Sequence, residues 1–402
     1  MEQILWLLTA GLALQLMFTV FNLSSLPKLG GTGHGSRWLA PAGNDGGMAP
    51  EAYSAGARLS VLIPARDEAY HIGDCLASVL QETSPWLEVI VLDDRSTDGT
   101  GRIARGLYGH DPRLRVLTGK TPPDGWIGKA FACHQLSEAA RGKWWLFLDA
   151  DARLAPGALA RAMDTALQQG SGLVTGFPHQ VTRTWLERLI VPLMQVTIAL
   201  HLPIRLVRHS RNPDFVAAHG AFMLVHRDSY LACGGHAAHP DHLVDDMALA
   251  REMKRSGYPV TLADLERHVS MRMYRDAAGV WNGFKKNIYA GVGRKWWLLL
   301  AVCLLYTVLF VLPPALTLLL PLLKVWPGAG KGMVLEAAWI PAAASWLLGI
   351  AIKLAVDRKH GQPFWYAALL APGVVLLSAI AWASWRGAAS KRGYVWKGRK
   401  VH

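Results

Sequence analysis

An apolar run of strand length, Trp144-Trp145-Leu146-Phe147-Leu148, stops abruptly at two carboxylates one residue apart, Asp149 and Asp151. Side chains at i and i+2 of an extended chain leave on the same side. Such a pair can close a polar turn after a buried strand, or hold a hard divalent cation. The pattern recurs, and the recurrence constrains the fold. Leu59-Ser-Val-Leu-Ile-Pro64 reads as a strand stopped by its proline and runs into Arg66, Asp67 and Glu68. Leu87-Glu-Val-Ile-Val-Leu92 runs into Asp93 and Asp94. A helix is expected after each. Ala69 to Gln81 would turn Ile72, Leu76, Val79 and Leu80 inward, and Ser96 or Thr97 would cap the second helix with Asp98 near its positive end. A strand at Arg113 to Leu117 follows. Repeated strand–acid–helix units predict an α/β fold with a doubly wound, mostly parallel sheet. In such sheets ligands bind beyond the carboxyl ends of strands, where these acids gather.

The ends of the chain obey a different rule. Gln3 to Leu26 is long and apolar enough to cross a bilayer. Glu2 precedes it without a basic residue and no small-x-small site follows, so an uncleaved anchor is favoured over a signal peptide. Lys28, Arg37 and Arg58 come next and place the following domain in the cytoplasm. Further spans are expected at 296–323, 333–356 and 364–385. The partition is an anchor at 1–27, a Gly, Ala and Pro-rich linker at 28–57, a cytoplasmic catalytic domain at 58–292, membrane helices at 293–390 and a basic tail at 391–402. A multi-pass membrane protein is implied. The net charge of +13 then belongs to basic flanks at an anionic leaflet. Nucleic-acid binding is disfavoured, because no finger, RNA-recognition or helix-turn-helix pattern occurs. Cys75, Cys133, Cys233 and Cys303 show no CxxC spacing, which argues against zinc and against a disulfide framework. The topology does not close: four crossings carry the tail with Arg386, Lys391, Arg392, Lys397, Arg399 and Lys400 outside, so one segment fails to cross or residues 184–207 cross as well.

Residues 184–207 form an apolar block with basic ends, interrupted by Pro192 and Pro203. An in-plane membrane helix is favoured over a buried or spanning one. His219 to His226 reads as a strand, and Gly125-Trp-Ile-Gly128-Lys129 opens a helix where Lys129 either meets phosphate or stays solvated. His236, His239 and His242 are separated by Pro240 from a common helical face, so a metal role is disfavoured. Asp245-Asp246 opens a helix closing at Gly257; capping accounts for one acid, and a carboxylate there can act as general base. Aromatic and basic residues interleave from 268 to 297, as in a membrane-interface belt.

Taken together, Pro64-Ala-Arg-Asp-Glu68, Asp93-Asp94-Arg-Ser-Thr-Asp98, Asp149-Ala-Asp151 and Asp245-Asp246-Met-Ala-Leu249 resemble, in order, the four acidic motifs of family 2 glycosyltransferases with a GT-A domain. Asp67 stands where the family usually has Asn, and Asp245 where it has Glu. The anchor, the Gly-Trp-Ile-Gly-Lys element and Val395-Trp-Lys-Gly-Arg399 are similar to membrane-bound bacterial members that glycosylate carotenoid-type or hopanoid lipids. The resemblance implies inverting transfer from a nucleoside-diphosphate sugar, a UDP-sugar before a GDP-sugar, to a lipid acceptor. Pro64, Arg66, Glu68, Asp93 and Asp94 would hold the nucleoside, with Lys129 near phosphate. Asp149 would face ribose or sugar and share with Asp151 a Mg²⁺ or Mn²⁺ ion, and Asp246 would be the base. A processive polysaccharide synthase, a polyprenyl-phosphate sugar transferase and a non-catalytic nucleotide-sugar-binding scaffold are the alternatives; Arg294-Lys-Trp-Trp297 lacks the usual synthase segment.

Overall fold

The computed structural model describes residues 2–31, 59–84, 86–324, 332–389, 394–396 and 399–401, so most of the expected linker lies outside the described residues. In chain order the elements are α1 (Glu2–Ser24), β1 (Leu59–Ala65), α2 (Ile72–Leu80), β2 (Leu87–Asp93), α3 (Thr100–Tyr108), β3 (Leu114–Thr118), α4 (Gly128–Ala139), β4 (Trp144–Leu148), β5 (Ala152–Leu154), α5 (Ala158–Gln169), β6 (Leu173–Thr175) and β7 (Pro178–Gln180). There follow α6 (Trp185–Ile190), α7 (Leu193–His201), α8 (Ile204–His209), β8 (Phe222–His226), α9 (Arg227–Ala232), α10 (Asp245–Arg255), β9 (Val260–Leu262), β10 (Leu265–Met271), α11 (Ala277–Gly291), α12 (Trp296–Tyr306), α13 (Leu312–Lys324), α14 (Gly332–Lys359), α15 (Leu370–Ala389), β11 (Tyr394–Trp396) and β12 (Arg399–Val401).

Seven strands form the main sheet in the order β3-β2-β1-β4-β8-β6-β9. The run β3-β2-β1-β4 is parallel, and β8 is inserted antiparallel to both β4 and β6. Residues of β1, β2 and β4 are buried on both faces because helices cover both. Ile72, Leu76 and Val79 of α2 pack with Leu159 and Met163 of α5 on one face. Leu136 of α4 and Leu249 and Met253 of α10 pack on the other. A three-stranded sheet, β5-β10-β7, was not foreseen from the sequence; its two short strands are too brief to show alternation.

Two local expectations fail for identifiable reasons. Pro64 does not stop β1, which continues to Ala65 paired with Asp93. The ladder to β4 has already ended at Leu62, so on that side the missing N–H leaves no rung broken. Ser96 and Thr97 do not cap α3. Asp98 accepts from the Thr100 N–H at 3.0 Å, while Ser96 accepts from the Asp67 N–H at 3.0 Å.

Among the described residues, four helical segments are long and apolar enough to cross a membrane: 2–24, 296–322, 337–359 and 364–388. Residues 184–207 are not among them. Their prolines cut the block into α6, α7 and α8, each of nine residues or fewer. Asn22 of α1 clamps these pieces, donating to Ala199 O and Leu202 O and accepting from the Ile204 N–H. α1 and α14 run in the same direction, since Leu5 packs with Ala338 and Ala342, and Thr9 bonds to Ser345. Both end at the α/β domain: Lys359 pairs with Asp264 at 2.6 Å, and His360 O meets His179. The last helix does not extend away from that end. Leu370 lies level with Gly349 and Phe310, about 16 Å back along α14 from His360. Farther along α15, Ser378 bonds to Cys303, and Ser384 bonds to Lys285 and Tyr289 of α11. α15 therefore runs from mid-bundle back towards the α/β domain.

Candidate functional site

The loops after β1 and β2 are zipped together. Asp67 adopts φ 51° and Arg95 φ 57°, and the Thr97 N–H donates to Asp67 Oδ1 at 2.8 Å. An aspartate fills the place expected of Asn because only its carboxylate acceptor is used there. Ala69 N–H donates to Asp98, and Glu68 N–H to Thr100. Arg66 donates to Asp94 O at 2.8 Å, and the Asp94 side chain is almost wholly buried. Asp93 turns the other way: it accepts from the Ser96 N–H and fills the space left by the missing Cβ of Gly101. Asp93 shapes the loop and does not line the cavity described below; Pro64, Arg66, Glu68 and Asp94 do.

Asp149 and Asp151 follow β4, and Lys129, near the start of α4, bonds to Asp149 Oδ1 at 2.6 Å. Burial alone would depress the Lys129 ammonium, but Asp149 and Asp245 outweigh it and hold its pKa well above the lysine range. The lysine thus meets a carboxylate in the wall of the cavity. The remaining oxygens face a gap at Gly220. A Cβ there would lie 2.9 Å from Lys129 Nζ, 3.6 Å from Asp246 Oδ2 and 3.7 Å from Asp149 Oδ2. Asp246 accepts from the Gly220 N–H at 2.8 Å and from the Met247 N–H at 2.7 Å. Burial first, and then the neighbouring Asp245, push its carboxyl up to about 7 against the opposing pull of Lys129 and these two N–H groups. A carboxylate poised near neutrality beside a cradle is suited to proton removal. Asp149 and Asp151 offer only oxygen donors, and Gly220 puts no side chain against Asp149 Oδ2. This donor chemistry fits Mg²⁺ or Mn²⁺.

The three histidines do not converge. His236 is buried and bonds Tyr230 Oη at 2.8 Å, His239 lies 3.5 Å from Glu252, and His242 meets Val244 O. Cys133, His236 and Asp245 place one donor atom each within 4.8 Å. Burial pushes the Cys133 thiol well above its ordinary range, so it stays protonated and offers no thiolate to a cation there.

One cavity of about 880 Å³ joins the acids to the helical bundle. At one end lie Glu68, Asp94, Asp149, Asp151, Asp245 and Asp246. At the other are Leu193 and Ile198 of α7, Leu299, Val302 and Tyr306 of α12, and Val374, Leu377 and Ala381 of α15. Between them Tyr274, Phe284, Lys286, Asn287 and Ile288 form the wall. Sequence reasoning missed His219, Tyr306 and Lys286. Their only sequence signal is a polar residue inside an apolar or amphipathic run, which does not say where the run packs.

The seven-stranded mixed sheet thus opens its acidic rim on one cleft. Residues 60–233 match the family model described as glycosyl transferase family 2. The chain is 30% identical over 239 residues to 4,4'-diaponeurosporenoate glycosyltransferase of Staphylococcus aureus strain USA300, and 29% identical over the same length to that of strain MRSA252. Each match covers 58% of this chain and spans only 62% of the relative. Among solved structures, the mannosyltransferase PcManGT from Pyrobaculum calidifontis, in complex with GDP-Man and Mn²⁺, superposes with a TM-score of 0.52 at 20% identity. The superposition covers 97% of this chain and 99% of that one, so the likeness of fold includes the apolar helices.

Proposed function

We propose that this chain is an inverting, metal-dependent glycosyltransferase that moves a sugar from a nucleoside-diphosphate sugar to a lipid acceptor at a bacterial membrane. The observation that carries the reading is the single cavity running from a carboxylate rim into an apolar bundle. A water-soluble acceptor has no use for the apolar arm. The name of the staphylococcal relatives supports a carotenoid or other isoprenoid as acceptor class. A nucleoside would lie along Pro64, Arg66, Glu68 and Asp94, with Asp93 holding the loop in shape.

Asp149 and Asp151 would hold the divalent cation. Bound there, it would offset the charge growing on the departing diphosphate. Lys129 fixes one Asp149 oxygen and leaves the other to face the cradle. Asp246 takes the proton of an acceptor hydroxyl as that oxygen attacks the anomeric carbon from the face opposite the leaving group. One such base is worth roughly 10²–10⁴ in rate. The catalytic domain is placed on the cytoplasmic side, where nucleotide sugars are made.

The test is nucleotide release by detergent-purified protein offered UDP- and GDP-sugars with bacterial lipid extract. Release should need lipid, stop with EDTA and be lost in Asp151→Ala. Release that is indifferent to EDTA and to Asp151→Ala would overturn the metal assignment. Nucleotide binding without release from any donor would favour the non-catalytic reading.

A further inference from the structure

α11 contributes Phe284, Lys286, Asn287, Ile288 and Gly291 to the wall of the cavity, and Lys286 is the only lysine lining it besides Lys129, among the described residues. Lys286 is half-buried at this junction, with Asn287 next to it on the same wall. Its position is fixed from both ends of the helix. Asp276 caps α11 by accepting from the Gly279 N–H at 2.7 Å, and Ser384 bonds to Lys285 O and to the Tyr289 N–H. Lys286 is therefore held by a rigid element rather than by a loop.

The neighbouring charges define what this amine can do. Lys129 and Asp245 both act on it electrostatically, so it stands within reach of the reacting end of the cleft. Lys129 is committed to Asp149 at 2.6 Å. Burial first, and then the Lys129 charge, lower the Lys286 pKa, and Asp245 only partly restores it. An ammonium in that setting gains from an incoming anion more than an exposed lysine does.

This deepens the reading above and rests on it. We propose that Lys286 is the acceptor-side anion holder: it binds the carboxylate or phosphate head of a lipid whose chain lies in the apolar arm, presenting the head to the sugar. With a carboxylate acceptor, a carboxylate oxygen forms the new bond to the anomeric carbon while the bond from that carbon to the diphosphate oxygen breaks. The electron pair leaves with the nucleoside diphosphate, an ester remains, and no proton is released. Asp246 is then dispensable as a base, although it is needed for a hydroxyl acceptor. Lys286 thus sets which class of acceptor head is taken.

The same anion chemistry could come from the donor diphosphate, and the test separates the two sources. The probes are cis-parinaric acid, a fluorescent polyene carboxylate, its matching alcohol, and UDP and GDP with Mn²⁺. Binding of the polyenes is read by energy transfer from tryptophan in the full-length detergent-purified protein, and nucleotide binding is read by calorimetry. Wild type should bind the acid more tightly than the alcohol. Lys286→Met should weaken the acid about tenfold or more, leave the alcohol and the nucleotide within about twofold, and leave the thermal midpoint unchanged. Lys286→Arg should recover most of the acid binding. A nucleotide affinity that falls while the acid is unaffected would move the lysine to the donor side and overturn the proposal. Equal weakening of acid and alcohol, or no preference in wild type, would overturn it as well. Because binding is read without turnover, failure of sugar transfer alone would count against the proposed activity and not against the lysine.

Discussion

Asp246 is the residue on which the proposed chemistry most depends, and its environment makes a pH prediction. A carboxyl raised to about 7 is protonated below that pH and cannot accept a proton. Transfer to a hydroxyl acceptor should therefore rise with pH through about 7 in kcat/KM, which reports the free protein. Asp246→Asn should lower that rate by about 10²–10⁴ and abolish the rise, while nucleotide binding survives. An unchanged rate in the variant would remove Asp246 from the mechanism. Nearby, His236 has the opposite character. Burial, offset only in part by Asp245, lowers its pKa to about 4. The unfolded imidazole takes a proton near 6.5 and the folded one does not, so stability is full above 6.5 and is lost as pH falls towards 4. The loss is at most about 3 kcal/mol. His236→Gln should flatten that part of the stability–pH profile in thermal melts, whatever it does to the absolute midpoint.

At the scale of elements, the strands of the α/β domain were legible because each buried strand is a continuous apolar run ended by charge. Three of the four acidic clusters were legible because each closes such a run, and Asp245-Asp246 because two acids open a helix where capping accounts for one. What the sequence could not say is which acids face the ligand. Asp93 and Asp94 are adjacent and alike, yet one supports its loop and the other lines the cavity. Facing is decided by a missing Cβ at Gly101 and by Arg66, neither visible as a pattern. The short strands of the second sheet were likewise hidden. The block at 184–207 was legible as apolar and proline-broken, but the clamp that organises it comes from α1. Asn22 meets three backbone groups there, at distances of 2.7 to 3.0 Å. Asn22→Ala should cost about 2–3 kcal/mol, because the buried carbonyls and N–H lose their partner. The expected result is a lower thermal midpoint in detergent with the nucleotide affinity retained. A midpoint equal to wild type would mean the α1–α7 clamp carries no stability.

For the whole molecule, the direction of α15 bears on the topological conflict posed by the sequence. Four full crossings would carry the basic tail away from the catalytic domain, against the preference of Lys and Arg for the cytoplasmic side. Instead, residues 360–370 climb to the level of Gly349, and α15 descends again until Ser384 meets α11. The segment thus enters the bundle and turns back towards the α/β domain. Such an element is tolerated at membrane depth only where protein surrounds it or where it borders a cavity. Both conditions hold here: Phe310, Leu370 and Val374 pack in one buried cluster, and Val374, Leu377 and Ala381 line the cavity. α15 thus lines the apolar arm of the cavity and ends, at Ala389, near the α/β domain. A green fluorescent protein fused after His402 should fluoresce in bacterial cells, and alkaline phosphatase at the same point should be inactive. Phosphatase fused after Lys324, at the far end of α13, should be active. An active phosphatase after His402 would mean that α15 crosses completely, and the arm it borders would then have to open to the opposite leaflet.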